Sequence, residues 1–137
     1  MADVSQTATS VEPVSGTPKT GTAGASIVPG NVIYLDADTS KYKLADADAS
    51  AAQAAAVGIA TSYATDGSSV HFLGRGSIID VGGTLVKGMP YFVSGTAGKI
   101  APAADLATGD WSTFLGIAAS TTNLDMTDFK ATGYQLA

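Results

Sequence analysis

The chain contains no cysteine, which excludes disulfides and thiolate metal sites. It has one histidine, His71, one arginine, Arg75, and one glutamate, Glu12. A Ser-His-Asp relay would have to run through His71. That residue lies in SSVHFLG, which reads as an ordinary strand, and no G-x-S-x-G elbow is present. The chain is therefore expected not to be an enzyme, and no catalytic residue is singled out. Charged residues make up only 14% of the sequence, well under the usual share of about a quarter. The surface must be built largely from Ser, Thr, Ala and Gly, which suits contact with other protein. A net charge of −5 opposes nucleic-acid binding, which needs a basic face to displace counterions. No apolar run approaches the roughly 20 residues that span a bilayer, so no membrane partner is expected. The N-terminus lacks a basic start followed by an apolar stretch, so it does not read as a secretory signal, and synthesis in a cytoplasm is expected.

Hydrophobic residues reach 45% of 137, enough for one domain with a real core. They are unevenly spread. Residues 1–25 contain no Leu, Ile, Phe, Tyr or Trp, and eight of the 25 are Ser or Thr. Such a segment buries too little apolar surface to offset its ordering entropy by itself. In the isolated chain it reads as a disordered tail, and against a partner as an extended N-terminal arm with Val4, Val11, Pro13, Val14 and Pro18 as its contact candidates.

From residue 26 to 137 the pattern is that of a β-domain. VIYL at 32–35 is a strand after the Pro29-Gly30 turn. KYKL at 41–44 alternates. SSVHFLGRGSIIDV offers two short strands broken by Gly74 and Gly76. Sixteen glycines and short apolar runs between polar turns predict an all-β fold, a small sandwich or barrel.

The chain also repeats itself. Shifted by 58, positions 28–62 show nine identities over 35 without a gap. Gly30 meets Gly88, and Gly58-Ile59-Ala60 meets Gly116-Ile117-Ala118. Two duplicated halves, about 27–79 and 85–137, follow. The repeat also reinterprets the alanine run at 51–56. Its counterpart carries Trp111, Thr113 and Phe114, so at most one helical turn near 48–53 and then a strand through 55–62 are expected. Gly58 and Gly116 lie inside matching strands, where glycine marks close backbone approach or a bulge. The halves are expected to pack there about a pseudo-twofold.

Other candidate chemistry is weak. DADTSK opens like a calcium loop at Asp36, Asp38 and Ser40, but Lys41 and Ala47 stand where Gly and a bidentate Glu are needed. GTAGKIAP lacks phosphate-loop spacing. No metal and no cofactor is expected. Arg75, between Gly74 and Gly76, either projects into a partner carboxylate or is a solvated loop charge.

GNVIYLDADTSKYKLADADAS with AAAVGIATS, followed by LVKGMPYFVSGTAGKIAPAADLATGDWSTFLGIAAS, resembles the small head proteins of tailed bacteriophages that decorate or cement the mature capsid. The resemblance covers roughly residues 27–137 and rests on the G-x-x-x-Y/F, K-x-x-x-A and V/L-G-I-A segments, each present twice. It implies a β-rich structural domain in the virion, on the outer capsid surface, whose partners are the major capsid protein and other copies of itself in a homotrimer. The alternative is a head-fibre or tail-associated module that binds a host surface glycan through exposed aromatics, with Trp111, Tyr63, Tyr91 and Tyr134 as candidates.

Overall fold

The computed structural model describes residues 3–136, without the side chains of 131–134. The described chain runs β1 (Gln6–Ser15), β2 (Lys19–Thr22), β3 (Val32–Asp36), β4 (Lys41–Leu44), α1 (Ala51–Ala54), β5 (Gly58–Ala60), β6 (Ser69–Leu73) and β7 (Ile78–Gly83). It continues through β8 (Pro90–Val93), β9 (Ile100–Pro102), β10 (Trp111–Ala118), β11 (Asn123–Asp125) and β12 (Lys130–Gln135). The fold is nearly all β, as expected. The helical turn is four residues, with Ser50 Oγ accepting from Gln53 N at its start.

Two sheets form. One is five-stranded, in the order β2-β6-β5-β3-β4. The other is seven-stranded, a curled half-barrel in the order β1-β7-β11-β10-β8-β9, with β12 also on β10. Without β1 and β12, the second order matches the first strand for strand, β7 standing for β2 and β9 for β4. Local bonding repeats too. Gly30 N donates to Ala60 O and Gly88 N to Ala118 O, both at 2.8 Å. Asn31 N donates to Val28 O at 3.1 Å and Met89 N to Val86 O at 3.0 Å. Gly30 and Gly88 have φ of +95° and +85°, which fits glycine at both turns.

The half boundaries are corrected by this equivalence. β7 opens the second unit as the counterpart of β2, so the first does not extend to 79. The β10–β11 hairpin is shorter than the β5–β6 hairpin: Ile59 pairs with Leu73, but Ile117 already pairs with Asp125. The fixed shift of 58 is therefore lost after Ala118.

Gly58 and Gly116 do mark close approach, but within each half. A Cβ on Gly58 would overlap the Leu73 carbonyl oxygen of β6, and one on Gly116 the Asp125 carbonyl oxygen of β11. The pseudo-twofold is not found. On the first sheet, Ile33, Ala60, Val70 and Phe72 fill an inner cluster, where Phe72 lies 4.8 Å from the Tyr42 ring. From its opposite face, Val32, Tyr34, Ile59 and Leu73 join Tyr91, Val93, Leu115, Leu124 and other side chains of the second sheet in the main core. The equivalent face of the second half points outward: Ile59 is 0% exposed and Ile117 46%. Two equivalent faces about a twofold would be buried alike.

The extended arm is also corrected. Residues 6–15 form β1 on β7, with Val11 opposite Val81, and residues 19–22 form β2 on β6. Val4 and Val11 are buried in the main core, so neither is available to a capsid. Val4 N donates to Ile100 O at 2.9 Å, so this segment reaches from β7 round to β9. The first sheet needs no such insert, because Ala23 bridges to Tyr42 and brings its own edges together. A polar sequence suffices here because β1 is an edge strand whose backbone bonds are met by β7 and which sends only Val11 inward, with Val4 buried just before it. The sequence signal lies in the partner. A Cβ on Gly82 would overlap the Thr7 carbonyl oxygen, and one on Gly83 the Ser5 carbonyl oxygen.

Candidate interaction surfaces

The remaining contact candidates lie on the end of β1 and on two adjoining turns. Pro13 and Val14 are exposed at the end of β1, and Val14 is 51% exposed. The β1–β2 turn lies against the β6–β7 turn: Ser15 pairs with Ile78, and Gly16 has φ +101° with its α-carbon face against Ser77. Pro18 is exposed on the first of these turns and Arg75 on the second. Arg75 Nε donates to the Thr127 carbonyl at 3.4 Å, a long bond that leaves the guanidinium facing solvent. The strand end and the two turns therefore carry two prolines, an exposed valine and the chain's one arginine.

A second surface is the outward face of β8, β10 and β11. Phe92 pairs with Phe114, Pro90 with Ile117, and Ile117 with Asp125, so all five side chains share one side. The two phenylalanine rings are 5.7 Å apart. A groove of about 230 Å³ runs beside them, lined by Phe114, Ile117, Ala119, Asp125, Thr127 and Asp128. Nothing in the strand pattern singled these residues out, because Ile117 and the core residue Ile59 occupy the same place in the same word.

A third feature is acidic. Asp3, Asp48, Asp105 and Asp110 line a cavity of about 430 Å³ with Ser94, Gly95, Thr96 and Ala107. It lies where the two halves are stitched by Ala47 N to Ser94 O at 2.9 Å and Trp111 N to Ala47 O at 2.7 Å. Ser94 Oγ donates to Asp3 at 2.6 Å, and Ala107 N to Asp110 at 2.9 Å. Nearby, partial burial holds the Asp46 carboxyl above its ordinary pKa, with repulsion from Asp48 and Asp110 acting the same way. The folded state thus prefers Asp46 protonated. Its contribution is fully present below the unfolded value near 3.8 and is lost as pH rises through the folded value. Asp46→Asn, which keeps the acceptor for Asp48 N, is expected to be more stable than wild type at neutral pH. The two should converge at about pH 3. Urea midpoints across that range check this, and a variant no more stable at neutral pH contradicts it.

The other motifs have local roles. DADTSK makes the β3–β4 turn, where Asp36 accepts from Asp38 N at 2.9 Å and from Lys43 Nζ at 2.6 Å. His71 is exposed on β6 with Nδ1 3.0 Å from Thr20 Oγ1. Among the aromatics, Tyr63 is 60% exposed and Trp111 is half-buried. Tyr91 is buried, its hydroxyl accepting from Val86 N at 2.8 Å. The Tyr134 side chain lies outside the described residues. No helix among the described residues is long and apolar enough to cross a membrane. Neither a family model nor a curated protein matches the chain.

Proposed function

We propose that this chain is a structural, non-catalytic protein of a tailed-phage head: a decoration or cement protein that binds the outer shell surface as a homotrimer. The observation that carries the reading is the exposed end of β1 and the two adjoining turns, which carry Pro13, Val14, Pro18 and Arg75. Prolines there hold an exposed apolar side chain on a backbone with little freedom to lose, and the exposed arginine of the adjoining turn can pair with a carboxylate on the major capsid protein. The charge-poor sequence and its doubled β-unit agree with that role, as does the resemblance in residues 27–137. The extended N-terminal segment has no part as a free strap in this reading, since it is already paired as β1 and β2.

Rebinding to heads stripped of their decoration tests it. Val14→Asp combined with Arg75→Ala is expected to lower shell affinity by about 30-fold or more, the loss typical of a contact hot spot. Thermal unfolding should be unchanged because both side chains are exposed. Absence of wild-type rebinding contradicts the reading, as does undiminished occupancy by the double variant. The glycan alternative is favoured by Tyr63, which stands beside a groove lined by Ser26, Val28, Thr65 and Ser68. Glycan-array signal abolished by Tyr63→Ala, with no shell binding, would decide for it.

A further inference from the structure

We infer that the outward face of the second half, formed by Pro90, Phe92, Phe114 and Ile117, is a self-association surface whose occupant is a second copy of this chain. The occupant is indicated by the chain's own duplication. The equivalent positions in the first half are Val32, Tyr34, Ala56 and Ile59, and all four are buried in the main core. What covers them there is another copy of the same β-unit, joined covalently. The second half keeps the apolar character of those positions, with two phenylalanines and an isoleucine in place of Tyr34, Ala56 and Ile59, and no third unit among the described residues lies against it. Such a face left to water is unusual, because contiguous apolar patches on folded proteins mark interaction sites. A second chain supplies the missing unit.

The details of the patch fit a copy of itself. Ile117 protrudes beside a groove of about 230 Å³ that it lines with Phe114 and Ala119, so the patch offers both a knob and a hole to a neighbouring copy. Its rim carries both signs of charge, Asp125 and Asp128 on the β11 side and the exposed Lys130 at the start of β12, opposite Phe114. Aromatic side chains at the centre with charges at the edge is the usual anatomy of a protein contact. Arg75 reaches the Thr127 carbonyl at the rim of this groove, whereas Pro13 and Val14 lie on β1, with β7 between them and β11. The self-association surface deepens the oligomer part of the proposed function and leaves the end of β1 to the shell.

The test is the mass of the full chain by sedimentation equilibrium across about 1–100 µM, a range that brackets micromolar association. Wild type is expected to exceed its monomer mass of 13.6 kDa. Ile117→Asp should weaken association by about 30-fold or more. Val14→Asp, at the other surface, should leave it unchanged. Ile117→Cys gives a gentler probe, since the chain has no other thiol. It should cross-link through a short bismaleimide, whereas Val14→Cys should not. A monomeric wild type overturns the assignment, as does an Ile117→Asp variant with wild-type mass. So does a cross-link from position 14 and none from 117. Association without rebinding to stripped heads would leave this contact standing and remove the shell reading. Rebinding by a monomer would do the reverse.

Discussion

Gly116→Val is expected to prevent stable folding, and Gly58→Val to do nearly the same. In each strand a Cβ would overlap a backbone carbonyl, Asp125 O beside Gly116 and Leu73 O beside Gly58. A flexible side chain could step aside. A carbonyl in the neighbouring strand can retreat only by opening the pairing next to it, Ile117 with Asp125 or Ile59 with Leu73. Overpacking in a rigid core costs roughly 1–3 kcal/mol, and loss of adjoining ladder bonds adds to it. A total of about 3–5 kcal/mol is a large part of the roughly 5–15 kcal/mol that holds a small domain folded. His71→Ala, on the exposed face of β6, should stay within about 0.5 kcal/mol of wild type. Urea unfolding of the three variants measures the contrast. Wild-type midpoints for both glycine variants would show that the strands tolerate wider spacing and that the duplicated glycines have another cause.

Deleting residues 1–15 should have an effect of similar size, which separates an integral strand from a detachable arm. The deletion removes β1 from the edge of β7 and takes Val4 and Val11 out of the main core. Each buried valine contributes about 1.5–3 kcal/mol relative to an exposed one. Gln6 also falls away, with its Nε2 bonds to Gly30 O at 3.1 Å and Val81 O at 2.9 Å. Those bonds tie β1 to both halves at once. The truncated chain is expected to lose cooperative unfolding and to bind a hydrophobic dye, and Val11→Ala alone should cost about 2 kcal/mol. An arm that merely lay along a partner would leave the melting curve of the free protein where it was. The same result explains why truncation is a poor assay of shell contact: lost occupancy would report a damaged fold. Point changes at Val14 and Arg75 avoid that confusion.

Much of the fold was legible because the strongest signals are local. Pro29-Gly30 before VIYL, the GIA words and the glycine-broken strands around Arg75 each specify a turn or a strand from a few neighbouring residues. The duplication was legible up to Ala118, where a shorter hairpin ends the fixed spacing. β11 was missed because Asn123–Asp125 is three residues long and two of them are polar. β1 and β2 were missed for a different reason. The N-terminal residues are unremarkable themselves, and their placement is written in Gly82 and Gly83, which make room for them. The outward apolar face was not legible at all. Ile59 and Ile117 sit in the same word, and only the one-sided docking of the halves puts one in the core and leaves the other at the surface.

That docking, with the unequal closure of the two sheets, also sets an order of events. The first sheet can come together from residues 19–73 alone, since its edges meet through Ala23 and Tyr42. β1 is synthesised before any of it, yet Gln6 must reach Val81, 75 residues away in sequence, and Val4 must reach Ile100. Contacts so distant along the chain carry a high loop-closure cost and form late. On the ribosome, β1 waits unpaired while the first sheet forms and the strands of the second emerge. Its low apolar content then has a use in the nascent chain. A strand with only two valines among Ser, Thr and Gln, broken by a proline and carrying a glutamate, is a poor seed for aggregation during that wait, whereas a more hydrophobic strand in the same place would be exposed until its partners emerged.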